Sequence, residues 1–177
     1  IPDIIFGVSE ELRLAFLRGY LLCDGTIGKN KIAFYSSSRD IISGIMYLLS
    51  SLGIMASMSA REPNGSASIV RGRRIETKLR SYTVSVSVRQ DLARLKMVWE
   101  DHHNAALLDK KLSSNWPSIN RQYKEIDGDL VALPIKSVEQ VVPTNGNVYD
   151  FSVESDENFI AGMGGICAHN TDADVDG

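Results

Sequence analysis

Apolar residues recur at helical spacing in residues 9–23, where the sequence reads SEELRLAFLRGYLLC. Ser9 is a good N-cap residue, and Glu10 and Glu11 place acidic side chains in the first turn, where the helix dipole favours them. Gly25 follows the last apolar residues and can end a helix. The pattern therefore predicts a helix over residues 9–23.

Three later stretches alternate between apolar and polar side chains, which is typical of half-buried strands. They are residues 31–37, where Ile32 and Phe34 share a face, residues 54–59, and residues 81–88. The last alternation is the clearest. It places Tyr82, Val84, Val86 and Val88 on one face and Thr83, Ser85 and Ser87 on the other.

Two further helices are predicted, over residues 39–52 and 91–108. Gly53 follows the first of them and is a good C-terminal cap, and the Pro-Asn-Gly sequence at residues 63–65 predicts a turn. Helices and strands in this order predict an α+β unit with helices on one face of a sheet. The opposite face, lined by Thr and Ser side chains, is left free for a ligand.

The chain is expected to divide near residue 110. Residues 111–128 are polar and lack periodicity, which predicts a linker, and residues 129–170 contain only short β-like pieces between turns, which predicts an all-β second unit. Charge divides in a similar way, with +5 in residues 1–120 and −8 in the remainder. A basic first part suits a polyanionic partner.

Composition excludes several classes of protein. The hydrophobic content of 44% is that of a soluble globular chain. No apolar run approaches the roughly 20 residues of a membrane span and no signal-peptide pattern is present, so we expect no membrane partner and a cytoplasmic location. Cys23 and Cys167 belong to no disulfide or zinc pattern, and we expect two buried small residues.

The predicted first helix carries a further pattern. Ala15, Gly19 and Cys23 recur every fourth residue and line one helix face with small side chains, which would let a second helix approach closely. Asp24 follows at the C-terminal end, where the helix dipole disfavours a carboxylate. A divalent cation would neutralise it. Two such helices side by side would share metal ions able to activate water against a phosphodiester.

Residues 17–25 (LRGYLLCDG) resemble the LAGLIDADG motif of homing endonucleases. The resemblance implies that residues 1–110 form one αββαββα-like half of a saddle over double-stranded DNA, with Asp24 as the catalytic ligand of Mg²⁺. Because one motif is present, the chain is expected to be the second half and to need a partner with the first motif. A LAGLIDADG module that only binds DNA, without nuclease activity, is the alternative.

Five basic residues stand shortly before the Ser/Thr-lined strand. They are Arg71, Arg73, Arg74, Lys78 and Arg80. On a saddle they would contact phosphates while strand side chains reach base edges in the major groove; the alternative is a solvated hairpin. The lysine that often assists cleavage in this family could be any of Lys29, Lys31 or Lys78.

Residues 148–153 (VYDFSV), 157–160 (ENFI) and 165–171 (GICAHNT) together resemble the two C-terminal blocks of inteins. The resemblance implies that residues 129–170 are the C-terminal part of a Hint splicing fold. The side-chain amide of Asn170 can attack its own carbonyl carbon and break the bond to Thr171. An amide nitrogen is a poor nucleophile, so this step requires acid–base assistance.

The neighbouring residues can supply that assistance without a cofactor. His169 can protonate the departing amine or polarise the carbonyl, and the hydroxyl of Thr171 can first accept the upstream host segment. By resemblance, Asp150 assists as a buried acid or base. Glu157 stands where many inteins have histidine. No N-terminal splicing block precedes the motif helix, so full splicing is expected to need a missing N-terminal intein half.

Residues 171–177 (TDADVDG) resemble the Toprim metal motif of DNA gyrase, as carried by its ATP-dependent enzyme class, the type IIA topoisomerases. Alternating carboxylates can hold magnesium, and Asp172 and Asp174 are the expected ligands. The resemblance implies that residues 171–177 belong to an ATP-dependent DNA topoisomerase that the intein interrupts. The alternative is that the whole chain is simply a topoisomerase fragment.

Overall fold

The computed structural model describes residues 1–65, 67–76, 78–114, 123–127, 130–149, 151–155 and 157–170. The chain forms two compact units, residues 1–120 and 121–177. The division falls within the segment for which a linker is predicted. Among the described residues, no helix is both long enough and apolar enough to cross a membrane.

The first unit contains five helices and six strands after a short 3₁₀ turn, Asp3–Phe6. In chain order they are α1 Glu10–Asp24, β1 Gly25–Ile27, β2 Ile32–Ser36, α2 Arg39–Ser51, β3 Ser57–Arg61, β4 Ala67–Val70, β5 Arg73–Glu76, β6 Ser81–Val86, α3 Arg89–Arg94, α4 Lys96–Trp99 and α5 Ala105–Ser113. The α+β character expected from the sequence is confirmed.

Four strands form one antiparallel sheet in the order β1-β2-β6-β3. Its apolar face joins the core, where Phe34 of β2 and Val84 and Val86 of β6 are fully buried beside Leu17 and Leu21 of α1. Helix α2 contributes Ile42, Ile45, Leu48 and Leu49 to the same cluster. The alternation in the sequence therefore specifies which sheet face the helices cover.

The second helix ends as its sequence predicts, but the following strand begins later than expected. Gly53 has a φ of +67°, and the backbone N–H groups of Gly53 and Ile54 donate to Ser50 and Leu49. This pattern is a Schellman C-cap, in which Ile54 packs against the helix it closes. Ile54 is thus buried as a cap residue, and β3 covers 57–61 where the alternation predicted 54–59.

The helix predicted over residues 91–108 is wrong as a single element. It is divided into α3, α4 and α5. The indole N–H of the fully buried Trp99 donates to the carbonyl of Leu92 at 2.8 Å, which replaces a helical backbone bond and turns the chain so that Trp99 enters the core. His102 and His103, expected on different sides of this helix, lie in the α4–α5 connection with stacked rings. Burial lowers the pKa of His102, and His103 adds to the effect.

The last helices are tied to the sheet unit by two arginines. Arg94 donates to the carbonyls of Leu52 and Gly53 at the end of α2, and Arg89 donates to the carbonyls of Leu112 and Ser114 at the end of α5. These bonds satisfy carbonyls that a helix end leaves without partners. Helix α5 extends to Ser113, three residues into the predicted linker.

The described residues of the second unit contain two hairpins and no helix. Strand β7 (Lys124–Glu125) pairs with β8 (Val131–Ala132), and β9 (Asn158–Ala161) pairs with β10 (Ile166–His169), both antiparallel. Glycines 162, 164 and 165 in the tight β9–β10 turn have positive φ values, which glycine adopts without strain. Many apolar side chains of this unit are exposed.

Both cysteines are exposed, so the expectation that they are buried small residues is wrong. Cys23 lies on the small-residue face of α1, and the core-facing side of that helix is occupied by Leu17 and Leu21 instead. Cys167 lies on β10, in a two-stranded sheet that is too small to cover both of its faces.

Candidate functional site

Helix α1 presents the small residues of the predicted motif on its exposed side. Ala15, Gly19 and Cys23 are all exposed, and a Cβ added at Gly19 would meet no atom within 4 Å. The neighbouring leucines Leu12 and Leu22 are 55% and 48% exposed. No described part of this chain packs on that face, and the helix instead enters the core through Leu17 and Leu21.

Asp24 is the last residue of α1, and its side chain is exposed. Gly25 follows in an extended conformation and begins β1, which turns the chain sharply away from the helix. A Cβ at Gly25 would lie 2.6–2.8 Å from atoms of Leu21, so only glycine allows this turn directly after Asp24. The sequence of the motif therefore holds a carboxylate at the open end of the helix.

The described residues contain no group of three or more His, Cys, Asp or Glu side chains able to hold a metal ion. Asp24 supplies one exposed carboxylate, which is suitable for a magnesium ion but insufficient to bind it alone. The described residues therefore offer half of a metal site at most. Lys29, Lys31 and Lys78 are exposed, and this geometry does not choose among them.

The sheet face opposite the helices is polar, as the alternation predicts. Thr83 and Ser85 of β6 pair with Ser59 and Ser57 of β3, and paired residues share a face. The hydroxyls of Ser57 and Ser85 lie 3.0 Å apart. Arg61 pairs with Ser81 and extends this row with a charged side chain. Arg61 was missed because the strand was expected to end at residue 59.

The predicted DNA-contacting residues are exposed and lie in or just after the β4–β5 hairpin. Arg71 and Gly72 form its two-residue turn with φ values of +50° and +76°, which matches the twist of paired strands. Arg73 and Arg74 are adjacent in β5, so their side chains point to opposite faces. The hairpin therefore cannot direct both of them to one flat surface.

The other two basic residues have acidic partners. Arg80 contacts Glu62 at 2.9 Å and lies over the ring of Tyr82, and Lys78 is 3.8 Å from Glu76. All of these groups are largely exposed, so the pairs hold the side chains only weakly. Elsewhere, Arg18 of the motif helix forms an ion pair with Asp101.

The end of the β9–β10 hairpin brings three polar residues together. Nδ1 of His169 lies 2.6 Å from the carbonyl oxygen of Asn170, and Nε2 lies 3.5 Å from a carboxylate oxygen of Glu157. The backbone N–H of Asn170 donates to the carbonyl of Glu157 at 2.8 Å. The imidazole is thus positioned against the carbonyl whose bond to residue 171 would break.

The side-chain oxygen of Asn170 is buried and has no hydrogen-bond partner within the described residues. A buried amide oxygen without a donor is costly, so this atom marks a place where a further donor is needed. The predicted site residues Asp150, Thr171, Asp172 and Asp174 lie outside the described residues. Sequence analysis left the role of Glu157 open, because its contact with His169 depends on strand register.

Comparisons with known proteins agree with the fold of the first unit. Residues 11–95 match the model of the LAGLIDADG-like domain. No solved structure matches the chain.

Three curated relatives show the range of proteins that contain similar sequence. A DNA polymerase of Thermococcus sp. (strain GE8) is 27% identical over 97% of this chain and 10% of its own length. A replication factor C small subunit of Methanocaldococcus jannaschii is 28% identical, again over 97% and 10%. Transcription initiation factor IIB of the same organism is 48% identical over 27% of this chain and 7% of its own.

This chain spans about a tenth of the length of the polymerases it matches. The similarity nevertheless covers nearly the whole chain, so it includes both structural units. Residues 11–95 carry a LAGLIDADG-like domain, and this match supports a module of the homing-endonuclease or intein type.

Proposed function

We propose that residues 1–110 are the second half of a LAGLIDADG homing endonuclease, which pairs with a first half and cleaves double-stranded DNA with Mg²⁺. The exposed small-residue face of α1, ending in the exposed Asp24, carries this proposal. A helix face of Ala, Gly and Cys allows close approach of a second helix. Each helix would then contribute one carboxylate to a shared metal site.

The sheet supports DNA as the partner of this half. Its open face carries Ser and Thr hydroxyls and Arg61, all groups that hydrogen-bond bases or phosphates. The basic β4–β5 hairpin extends from the same unit. The rival proposal, a module that binds DNA without cutting it, keeps this surface. Mg²⁺-dependent cleavage by the assembled halves would separate the two.

The first prediction concerns assembly. Gly19→Leu should leave this chain folded, because a side chain there meets nothing, yet should block the close approach of a partner helix. Gly19→Ala is the matched control: both changes remove the helix-destabilising glycine, but only leucine adds bulk. Size-exclusion chromatography with the partner half should show assembly for Ala and none for Leu. Equal assembly of both variants would refute α1 as the interface.

A second prediction concerns the hairpin. Combined charge reversal, Arg73→Glu with Arg74→Glu, should weaken DNA binding and reduce the slope of log K against log salt by about one per lost phosphate contact. Since the two side chains point to opposite faces, each single reversal controls for the other. One single variant should carry most of the change. A slope unaltered by the double reversal would place the DNA surface elsewhere.

For the second unit, we propose self-processing at the bond between Asn170 and Thr171. The 2.6 Å contact between Nδ1 of His169 and the carbonyl of Asn170 supports this proposal. A ring N–H at that position donates to the oxygen and makes the carbonyl carbon more electrophilic, as attack by the amide of Asn170 requires. Thr171 would accept the upstream segment, and Asp150 would assist as a buried acid or base.

Exposed apolar residues in the second unit support a missing partner segment. Twelve apolar side chains in its described part are 52–91% exposed: Ile126, Leu130, Leu133, Ile135, Val138, Val141, Val142, Val148, Tyr149, Phe151, Ile160 and Ile166. A soluble unit rarely exposes so many apolar groups together. We propose that an N-terminal splicing segment covers them and completes a Hint fold with residues 129–170.

For the host protein, we propose a type II DNA topoisomerase of the gyrase kind, on the basis of residues 171–177 alone. Asp172 and Asp174 would bind Mg²⁺ in that host. The relatives carry the names of a DNA polymerase, a transcription factor and a replication factor subunit. Matching a tenth or less of each of these proteins supports a separable insert rather than a fixed part of one enzyme.

A further inference from the structure

Glu157, His169 and Asn170 form a continuous line of a carboxylate, an imidazole and a carbonyl. The two ring nitrogens of His169 face different oxygens, Nδ1 that of Asn170 at 2.6 Å and Nε2 that of Glu157 at 3.5 Å. A carbonyl oxygen can only accept, so Nδ1 must carry the hydrogen in that contact. Glu157 therefore lies on the far side of the ring from the bond that would break.

The backbone of the hairpin brings these groups together. The β9–β10 register pairs His169 with Asn158, so Glu157 precedes the last residue pair and Asn170 follows it. The bond from Asn170 N–H to the Glu157 carbonyl extends the ladder by one step. Glu157 has a φ of +52°, a left-handed conformation that is costly for a residue with a side chain. Such local strain often accompanies a functional site.

We propose that Glu157 is the positioning residue of His169 in cleavage after Asn170, an inference that rests on the proposed self-processing. Its carboxylate holds the ring so that Nδ1–H points at the Asn170 carbonyl. It also offsets the positive charge of an imidazolium when negative charge develops on that oxygen. The same division of roles, a carboxylate behind a histidine, operates in Ser-His-Asp triads.

The reaction that Glu157 assists is balanced without any further reactant. A bond forms between Nδ2 of Asn170 and its own carbonyl carbon, and the bond from that carbon to the nitrogen of Thr171 breaks. Nδ2 loses one proton and the departing amine gains one, which leaves a succinimide and a free amine. His169 stabilises the oxygen during the attack, and Glu157 acts only through His169.

A purely structural role for the pair is disfavoured by its exposure. The side chains of His169 and Glu157 are 58% and 49% exposed, and exposed ion pairs contribute little to folding. The hairpin itself is held by backbone bonds between β9 and β10. Replacing the Glu157 carboxylate with an amide should therefore leave the fold intact, so that a change in rate reports on the reaction.

The test uses the full 177-residue chain and follows loss of residues 171–177 by mass spectrometry. Glu157→Gln should slow release roughly 10- to 100-fold, the range expected for contacting groups that act as a unit. Glu157→Asp should restore part of the rate. In a His169→Gln chain, adding Glu157→Gln should cause no further loss. An unchanged rate in Glu157→Gln, or losses that simply add, would overturn the proposal.

A second measurement does not depend on cleavage. In a chain with Asn170→Ala, which keeps the backbone carbonyl, the ¹⁵N signals of the His169 ring can be identified by their loss in His169→Gln. Glu157→Gln should shift both ring signals as the hydrogen redistributes between the nitrogens. Unchanged ring signals would refute the positioning of His169. Shifted signals in a protein whose unaltered form releases nothing would refute self-processing instead.

Discussion

Asn170→Ala should stop the proposed splicing reaction at a branched ester, whereas Thr171→Ala should allow cleavage after Asn170 without joining. Both results are expected when the N-terminal splicing segment, with its own host flank, is supplied in trans. The hydroxyl of Thr171 must take over the acyl chain before Asn170 cyclises. Without the Asn170 amide the ester therefore accumulates, and without the hydroxyl no acceptor exists for the flank.

Mass spectrometry distinguishes these products, because the branched ester contains both flanks and is opened by hydroxylamine. Thr171→Ser provides the matched control, since it keeps a hydroxyl nucleophile and should still join the flanks. Joining that persists in Thr171→Ala would exclude the proposed acceptor. Release of residues 171–177 that persists in Asn170→Ala would exclude cyclisation as the cleaving step.

Asp24→Asn should abolish Mg²⁺-dependent DNA cleavage by the assembled endonuclease, by roughly a hundredfold or more, because a metal site loses the charge that holds the ion. DNA binding should persist, since phosphate contacts come from basic side chains elsewhere in the unit. Supercoiled plasmid carrying the target would report cleavage, and a gel-shift assay would report binding.

Asp40→Asn is the control for this change, because Asp40 is another exposed acidic residue at a helix end and lies in the first turn of α2. It should cleave at the rate of the unaltered protein. If Asp24→Asn cleaves equally well, Asp24 is not a metal ligand. If it loses binding together with cleavage, Asp24 contributes to the DNA surface itself.

Elements with a strong local pattern could be predicted from the sequence. Helix α1 and helix α2 lie within one residue of their predicted ends, and β6 has the expected buried and open faces. In each case the periodicity of a single segment determines which side faces the core. The boundaries that failed depend on contacts from other segments, such as the indole of Trp99 bonding to Leu92.

The proposed sites divide in the same way. Asp24 could be found from the sequence because its motif is contiguous and its cost at a helix end is a local property. The roles of Glu157 and Arg61 could not, since each depends on which residues lie opposite in a paired strand. A shift of one residue in register would reverse the direction of both side chains, and no local pattern specifies that register.

The open sheet face has a consequence for how binding specificity could change over time. Its central positions are serine and threonine hydroxyls, and each hydroxyl can rotate to donate or to accept a hydrogen bond. Such a surface can satisfy either an acceptor or a donor on a base edge without a change of side chain. A protein that reads DNA with this face should tolerate many single-base changes in its target, and so survive drift in the gene that it interrupts.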